Sequence, residues 1–260
     1  MSNYETLDIE SLDQFGAMPE RAYEIIDAHD VFDTIWWRGQ ADSDWELLPS
    51  AHRPRYQGFE HDLVRSFMRR AKTRYTGPLP AEEAWPDWLF LMQHYGLPTR
   101  LLDWTRSPFI AAVFAVESHP DKPGAIWALN PYQWNYRANN TQRLIDPYEE
   151  IVLPYFKAPF KGAACENRAI AVDAPEIDNR MLVQQAACTI HGERTPLEKL
   201  EEFGGGGFVK FIISAGLKER VKKYLVLRGF THDRLFPDLH HLAQELREEL
   251  RNRTYGGEEV

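Results

Sequence analysis

One stretch near the middle of the chain, Gln93 to Val116, carries side chains capable of chemistry within an apolar setting. It runs QHYGLPTRLLDWTRSPFIAAVFAV. His94 can exchange a proton near neutral pH, and the guanidinium of Arg100 can bind a phosphate or a carboxylate through two parallel hydrogen bonds. Because a buried charge requires a partner, we predict an ordered loop here. In that loop Arg100 and Asp103 are largely buried and pair with each other or with other groups.

A second candidate site is the sequence Trp37-Arg38-Gly39-Gln40. The β-branched and aromatic residues 34–37 predict a strand, and Arg38-Gly39-Gln40 predict the turn that ends it. An arginine fixed at such a strand end can hold a phosphate or carboxylate of a ligand. The alternative is a structural Arg38 that pairs with Asp103 or Asp44.

Two further features are less specific. Gln184 and Gln185 carry amides that can hydrogen-bond ribose hydroxyls or a base edge, or they lie on the surface of an amphipathic turn. The helix predicted over 59–72 has one basic face, formed by Arg65, Arg69, Arg70 and Lys72. That face suits a nucleic acid or an acidic partner, although a solvated helix surface explains it equally simply.

The composition limits the classes of function. The chain has 260 residues, a formal net charge of -9 and 43% hydrophobic residues, which disfavours broad binding of nucleic acid and supports an ordinary core. We expect no membrane span, because no apolar run is long enough. We also expect no signal peptide, reduced Cys165 and Cys188, and a cytoplasmic protein. The patterns GxGxxG, GxxxxGK[ST], HExxH and GxSxG are missing from the sequence, and no metal site is expected.

The helices and strands that position these residues can be predicted from the spacing of hydrophobic residues and from capping, Gly and Pro residues. The apolar run FIAAVFAV after Ser107-Pro108 predicts a buried central helix with a serine cap and proline at its first position. Helices are predicted over 9–30 with a break at Pro19, 59–71, 86–95 and 217–227, and from Pro237 onward. Strands are predicted over 34–37, 124–129, 167–172 and 208–213. Residues 181–190 predict a short helix that passes into a strand, 204–207 a loop tip, and 131–167 show no clear periodicity.

This irregular order favours an α+β fold, with a mixed or antiparallel sheet, a buried central helix and several flanking helices. We expect one domain over residues 1–260, with its core at about 30–250 and a disordered tail at 254–260.

Taken together, four motifs resemble the FRG domain family, which is named for an aromatic-Arg-Gly motif. They are WRGQ, HYGLPTRLLDWTRSPFIAAVFA, RMLVQQA and LFPDLHHLA, and the resemblance extends over roughly residues 30–245. Trp37 occupies the aromatic position. The resemblance implies a bacterial or phage domain, sometimes found among defence or toxin-like genes, and it implies little about a reaction.

A weaker analogy connects the chain to ADP-ribosyltransferases, which hold NAD with an Arg or His at the end of an early strand. Arg38, the segment 94–105 and Gln184-Gln185 follow in a similar order. The late catalytic Glu of those enzymes has no clear counterpart here; Glu166 and Glu193 are candidates without a supporting motif. The analogy is one of general order along the chain and carries only that weight.

These observations support three hypotheses. The first is a nucleotide-binding protein, either ADP-ribosyltransferase-like or NAD-cleaving, with NAD as substrate and no other cofactor. The second is a non-catalytic module that binds a ligand or a protein, and the third is an RNA-directed protein, which the acidic net charge disfavours. In the first, the catalytic candidates are His94, Asp103 and Gln184. The ligand-binding candidates are Trp37, Arg38, Gly39, Gln40, Thr99, Arg100, Thr105 and Gln185.

Overall fold

A mixed β-sheet with helices packed on it forms the framework of the protein in a computed structural model. The structure describes residues 4–26, 35–162, 165–175, 179–192, 194–200 and 207–236, together with the helical residues 242–243, 246–247 and 250. The strands are β1 (Glu5–Ile9), β2 (Trp36–Gln40), β3 (Leu101–Thr105), β4 (Gly124–Leu129), β5 (Ala169–Val172), β6 (Ala186–His191) and β7 (Phe208–Ile213).

One or two α-helices follow each strand except β6 along the described chain. They are α1 (Leu12–Gly16), α2 (Met18–Ile26), α3 (Glu60–Ala71), α4 (Trp85–His94), α5 (Pro108–Val116), α6 (Pro131–Asn139), α7 (Leu153–Lys161), α8 (Asn179–Val183), α9 (Ala215–Val226) and α10 (His232–Leu235). None of the described helices is long and apolar enough to cross a membrane.

The order of strands across the described sheet is β1-β7-β4-β2-β3-β6-β5. Only the β1–β7 pair is parallel, and the remaining neighbours are antiparallel. One face of the β1-β7-β4-β2 half packs against α1, α2, α5 and α9, and the same face of the β3-β6-β5 half packs against α4 and α7. The opposite face is covered by α6 and by apolar side chains of two loops. The α+β class, the mixed sheet and the flanking helices are therefore confirmed.

The buried central helix is also confirmed. α5 begins at Pro108, and the hydroxyl of Ser107 accepts a hydrogen bond from the main-chain N–H of Ile110 at 3.4 Å. Because α5 is apolar on nearly every side, it is buried between the sheet and α9.

Several predicted elements differ from the structure. The predicted ordered loop from Leu101 to Thr105 is wrong, because these residues form the strand β3. Arg38 lies inside β2 and not after it, because β4 pairs with β2 as far as Gln40. The 131–167 region contains α6 and α7. The loop tip at 204–206, most of the helix after Pro237 and the tail at 254–260 lie outside the described residues.

The predicted helix over 9–30 begins later than expected. Its first residue, Ile9, is instead the last residue of β1, which pairs with β7. Ser11 caps α1 as predicted, and its hydroxyl accepts a hydrogen bond from Gln14 N–H. The helical segment is divided in two, and α2 begins at Met18, one residue before Pro19.

Candidate functional site

The middle of the sheet opens between β2 and β3. These two strands share a single registered pair, Trp37 with Thr105, whereas β2 pairs with β4 along its whole length. Beyond that pair the side chain of Arg38 reaches across the opening, and its Nη1 donates to the main-chain oxygen of Asp103 at 2.5 Å. The opening is therefore spanned by a guanidinium group instead of a ladder of main-chain hydrogen bonds.

The charge of Arg38 has no direct counterion. Its side chain is half-buried, its Nε has no hydrogen-bond partner, and no carboxylate forms a salt bridge with it among the described residues. Burial lowers the pKa of Arg38, the nearby charge of Asp103 partly offsets that effect, and Arg53 lowers the pKa further. A desolvated guanidinium held by a carbonyl keeps most of its capacity to bind an anion.

Of the two predicted arrangements, Arg100 and Asp103 pair with other groups and not with each other, and the prediction that Asp103 is largely buried is wrong. Successive residues of an extended chain point to opposite faces, so side chains three positions apart diverge. Asp103 is exposed, and its Oδ2 accepts from Gln93 Nε2 at 2.7 Å. The Gln93 Oε1 in turn accepts from the hydroxyl of the buried Thr99, so Thr99 supports the amide that holds Asp103.

Arg100 pairs instead with a residue of α3. Its Nε and Nη2 donate to the two carboxylate oxygens of Glu60 at 2.9 and 2.6 Å, and its Nη1 donates to the Cys165 Sγ at 3.2 Å. Burial alone lowers the pKa of Arg100, but Glu60 and Cys165 outweigh that effect and raise the pKa. Arg100 is thus buried as predicted, with its guanidinium fork occupied.

A small cavity brings together three candidate residues on the α4 side of the sheet. His94, Asp103 and Gln184 all line it, and its volume is about 90 Å³. Cavities that hold drug-sized ligands measure roughly 300–1,000 Å³, so this one accepts a small group and not a whole nucleotide. Gln184 Nε2 donates to the main-chain oxygen of Leu235 at 3.0 Å, and Gln184 O accepts from the Thr105 hydroxyl at 2.7 Å.

Gln185 does not line this cavity. It is exposed at the junction of α8 and β6, and its φ of 48° lies in the left-handed region. Its main-chain oxygen accepts from Arg106 N–H, so its conformation turns the chain into β6.

Three candidates in the WRGQ motif make structural contacts. Trp37 is buried in the core beside α5 and stacks on Phe211. Gly39 has α5 directly against it, because a Cβ at this position would lie 1.8 Å from the main-chain oxygen of Ala111. Gln40 is buried, accepts from Trp127 Nε1 at 2.7 Å and donates to the main-chain oxygen of Glu46 at 3.3 Å.

A larger cavity lies at the end of the sheet where β3 begins and β6 ends. It measures about 650 Å³, and its lining includes His52, Glu60, His61, Arg100 and Arg194. Positive or protonatable side chains thus outnumber the single carboxylate. This cavity could not be predicted from the sequence, because its lining comes from four separate segments and no short motif unites them.

A buried histidine on β6 was also missed. His191 is adjacent in the chain to Gly192, which lines this cavity. Its main-chain N–H donates to the main-chain oxygen of Arg100, which also lines the cavity. Burial, followed by the charges of His52, Arg38 and Arg100, lowers the pKa of His191 well below its usual value. The only signal in the sequence was the alternation Cys188-Thr189-Ile190-His191 at a strand end. Within the described chain, no cluster of His, Cys, Asp and Glu is arranged to hold a metal ion.

The fold and the site together define an α+β protein whose mixed sheet carries a cationic opening at its centre. Residues 33–123 match the family model of the FRG domain. The match includes β2, α3, α4, β3 and α5, and therefore Arg38, Arg100 and Asp103. It ends before Gln184 and the two later motifs. No curated protein and no solved structure matched the chain.

Proposed function

We propose that this FRG-domain protein binds a nucleotide-type ligand, such as NAD, and that Arg38 holds a phosphate group of that ligand. The observation that carries the proposal is the state of Arg38, a desolvated guanidinium fixed by a main-chain carbonyl, with Nε unpartnered and no ion pair among the described residues. Retaining such a charge is costly unless an anion completes its contacts.

The surroundings support an anionic ligand of this size. The charge of Arg53 lowers the pKa of Arg38, and the charges of Arg38 and Arg100 lower the pKa of His191. This concentration of positive charge stands out in a chain of net charge -9. The cavity lined by His52, Glu60 and Arg100 measures about 650 Å³, which lies within the range of small-ligand sites.

We further propose a catalytic role for the small cavity lined by His94, Asp103 and Gln184, on the face of the sheet opposite to Arg38. Asp103 and His94 would position a ribose there, and Gln184 would stabilise the charge that develops as a glycosidic bond breaks. An NAD-cleaving or ADP-ribosyltransferase-like reaction has these requirements. A cavity of about 90 Å³ must widen before it admits a ribose.

A non-catalytic binding module is the second candidate, and one observation favours it. The side chains proposed for catalysis already make contacts inside the protein: Asp103 accepts from Gln93, and Gln184 donates to Leu235. Side chains with such contacts inside the protein can stabilise the fold as readily as they can position a substrate.

The test combines binding and turnover. NAD, ADP-ribose and pyrophosphate are titrated into the wild-type protein by calorimetry, and NAD is followed by mass spectrometry. Arg38→Ala should weaken binding about 10- to 100-fold, because hydrogen bonds to a charged group contribute roughly 1.5–3 kcal/mol. Arg38→Lys should restore little, because an ammonium cannot reproduce the fork.

Arg228→Ala is the matched control, since Arg228 is exposed just after the end of α9 and stacks on Tyr224. Binding of NAD without its turnover would support the non-catalytic binding module over the enzyme. If the wild-type protein binds none of the three compounds, or if Arg38→Ala binds them as tightly, the proposal fails.

A further inference from the structure

A hydrogen-bonded chain of side chains runs across β3 and β6 on the same face of the sheet as Arg38. Trp104 Nε1 donates to Thr189 Oγ1 at 3.1 Å, and Thr189 Oγ1 lies 2.9 Å from His191 Nε2. Thr189 and His191 are 0% and 1% exposed, so water does not compete for these contacts.

The chain fixes which ring nitrogen of His191 carries the proton. The indole of Trp104 can only donate, and the described residues offer the buried hydroxyl of Thr189 no other acceptor, so that hydroxyl gives its proton to His191 Nε2. His191 is neutral, because burial and the surrounding cations lower its pKa well below the usual value. A neutral ring that accepts at Nε2 carries its hydrogen on Nδ1.

This Nδ1–H donor is buried and has no hydrogen-bond partner in the described part of the chain. Arg38 Nε is a second such donor. Alternation along the strands places Arg38, Trp104, Thr189 and His191 on one face. The charge of Arg38 also lowers the pKa of His191, and Gly192, the residue after His191, lines the cavity of about 650 Å³. Two unpartnered donors on one face of the sheet are suited to the oxygens of an anion.

We propose that His191 is a ligand-binding residue whose Nδ1–H donates to a phosphate oxygen beside the one held by Arg38. This inference rests on the proposed function and adds a residue outside the matched family segment. A neutral donor next to a guanidinium contacts a phosphate without adding a second fixed charge. The hydroxyl of Thr189, itself held by Trp104, orients the ring.

Two substitutions separate ligand binding from packing. His191→Asn retains an amide N–H near the position of Nδ1 but loses the contact with Thr189. His191→Gln places its amide near Nε2, where it retains the Thr189 contact and loses the Nδ1 donor. With pyrophosphate as the probe, His191→Gln should bind about tenfold more weakly than wild type, and His191→Asn should bind more tightly than His191→Gln. A purely structural role predicts the reverse order.

Nitrogen-15 NMR of histidine-labelled wild-type protein provides a measurement that does not depend on the folding of a variant. Free protein should show His191 with hydrogen on Nδ1, and pyrophosphate should shift that resonance. Wild-type protein that binds pyrophosphate through Arg38 without this shift, and with His191→Gln unaffected, overturns the role of His191 alone; the Nδ1 donor then faces an internal water only. Absence of any pyrophosphate binding overturns the proposed function as well.

Discussion

The buried ion pair between Arg100 and Glu60 leads to a quantitative prediction about stability. The two side chains are 8% and 15% exposed, and two hydrogen bonds join them. Glu60→Gln removes the negative charge but leaves an amide oxygen that still accepts one hydrogen bond. Breaking a buried pair by removing one partner typically costs about 3–5 kcal/mol. The retained contact places this variant near the lower limit, about 3 kcal/mol.

For a protein of this size, each kcal/mol lowers the melting temperature by roughly 2–4 °C. Glu60→Gln should therefore melt roughly 6–12 °C below wild type, measured by scanning calorimetry or circular dichroism. Glu24→Gln is the matched control. It removes the same charge from the exposed pair between Arg21 and Glu24, and it should hardly change the melting temperature because exposed pairs contribute little.

A double-mutant cycle tests the mechanism. Replacing both members, as in Glu60→Leu combined with Arg100→Met, leaves no uncompensated charge and should be more stable than either single variant. The reasoning is refuted if Glu60→Gln has the same melting temperature as wild type, or if the stability loss of the double variant equals the sum of the two single losses. Either result means that Arg100 does not depend on Glu60 for its burial.

Two other predictions concern packing and pH. Gly39→Ala should destabilise the fold by about 1–3 kcal/mol or more, because its Cβ meets the main chain of α5; Gly216→Ala, with open space around its Cβ, should be neutral or slightly stabilising in the same urea titration. Because the folded pKa of His191 lies well below 6.5, the unfolded chain takes up a proton that the folded protein does not as the pH falls below about 6.5. The free energy of unfolding should therefore decrease by up to about 1.4 kcal/mol per pH unit below that value. Urea unfolding at pH 7.5, 6.5 and 5.5 should show that this free energy depends less steeply on pH in His191→Gln than in wild type. An equal dependence in the two proteins contradicts the assignment.

Local signals were sufficient where the determinants lie within a few residues. Ser107 and Pro108 begin α5 because a side-chain cap and a preset φ act over a single turn. Asn130-Pro131 carried the same information and was interpreted only as the end of β4. In the structure Asn130 accepts from the N–H groups of Tyr132 and Gln133 and caps α6. Attention to that cap would have predicted the helix.

Longer-range determinants could not be predicted in this way. β3 was missed because it is apolar on both faces except at Asp103, which interrupts the alternation that marks a half-buried strand. Arg100 was correctly expected to be buried, but its partner lies 40 positions away on another element. Which carboxylate meets a buried cation depends on helix packing, which the spacing of charges along the chain does not encode.

In the candidate site, too, local sequence signals identified one residue and missed another that depends on long-range contacts. The sequence indicated Arg38 because an arginine between Trp37 and Gly39 is chemically conspicuous. His191 was not conspicuous, since a histidine at a strand end has no distinctive pattern. Its significance follows from Thr189 and Trp104, which only strand register brings together.

The junction between β2 and β3 has a consequence for how the protein exchanges its amide hydrogens. Every other neighbouring pair in the described sheet is joined by four to six registered residue pairs, whereas this one has one. Parting the sheet along this junction breaks far fewer main-chain contacts than global unfolding does. Deuterium uptake should therefore begin at Arg38 and Asp103 while the amides of β4 and β7 remain protected, and a ligand that bridges the two strands would slow uptake on both at once.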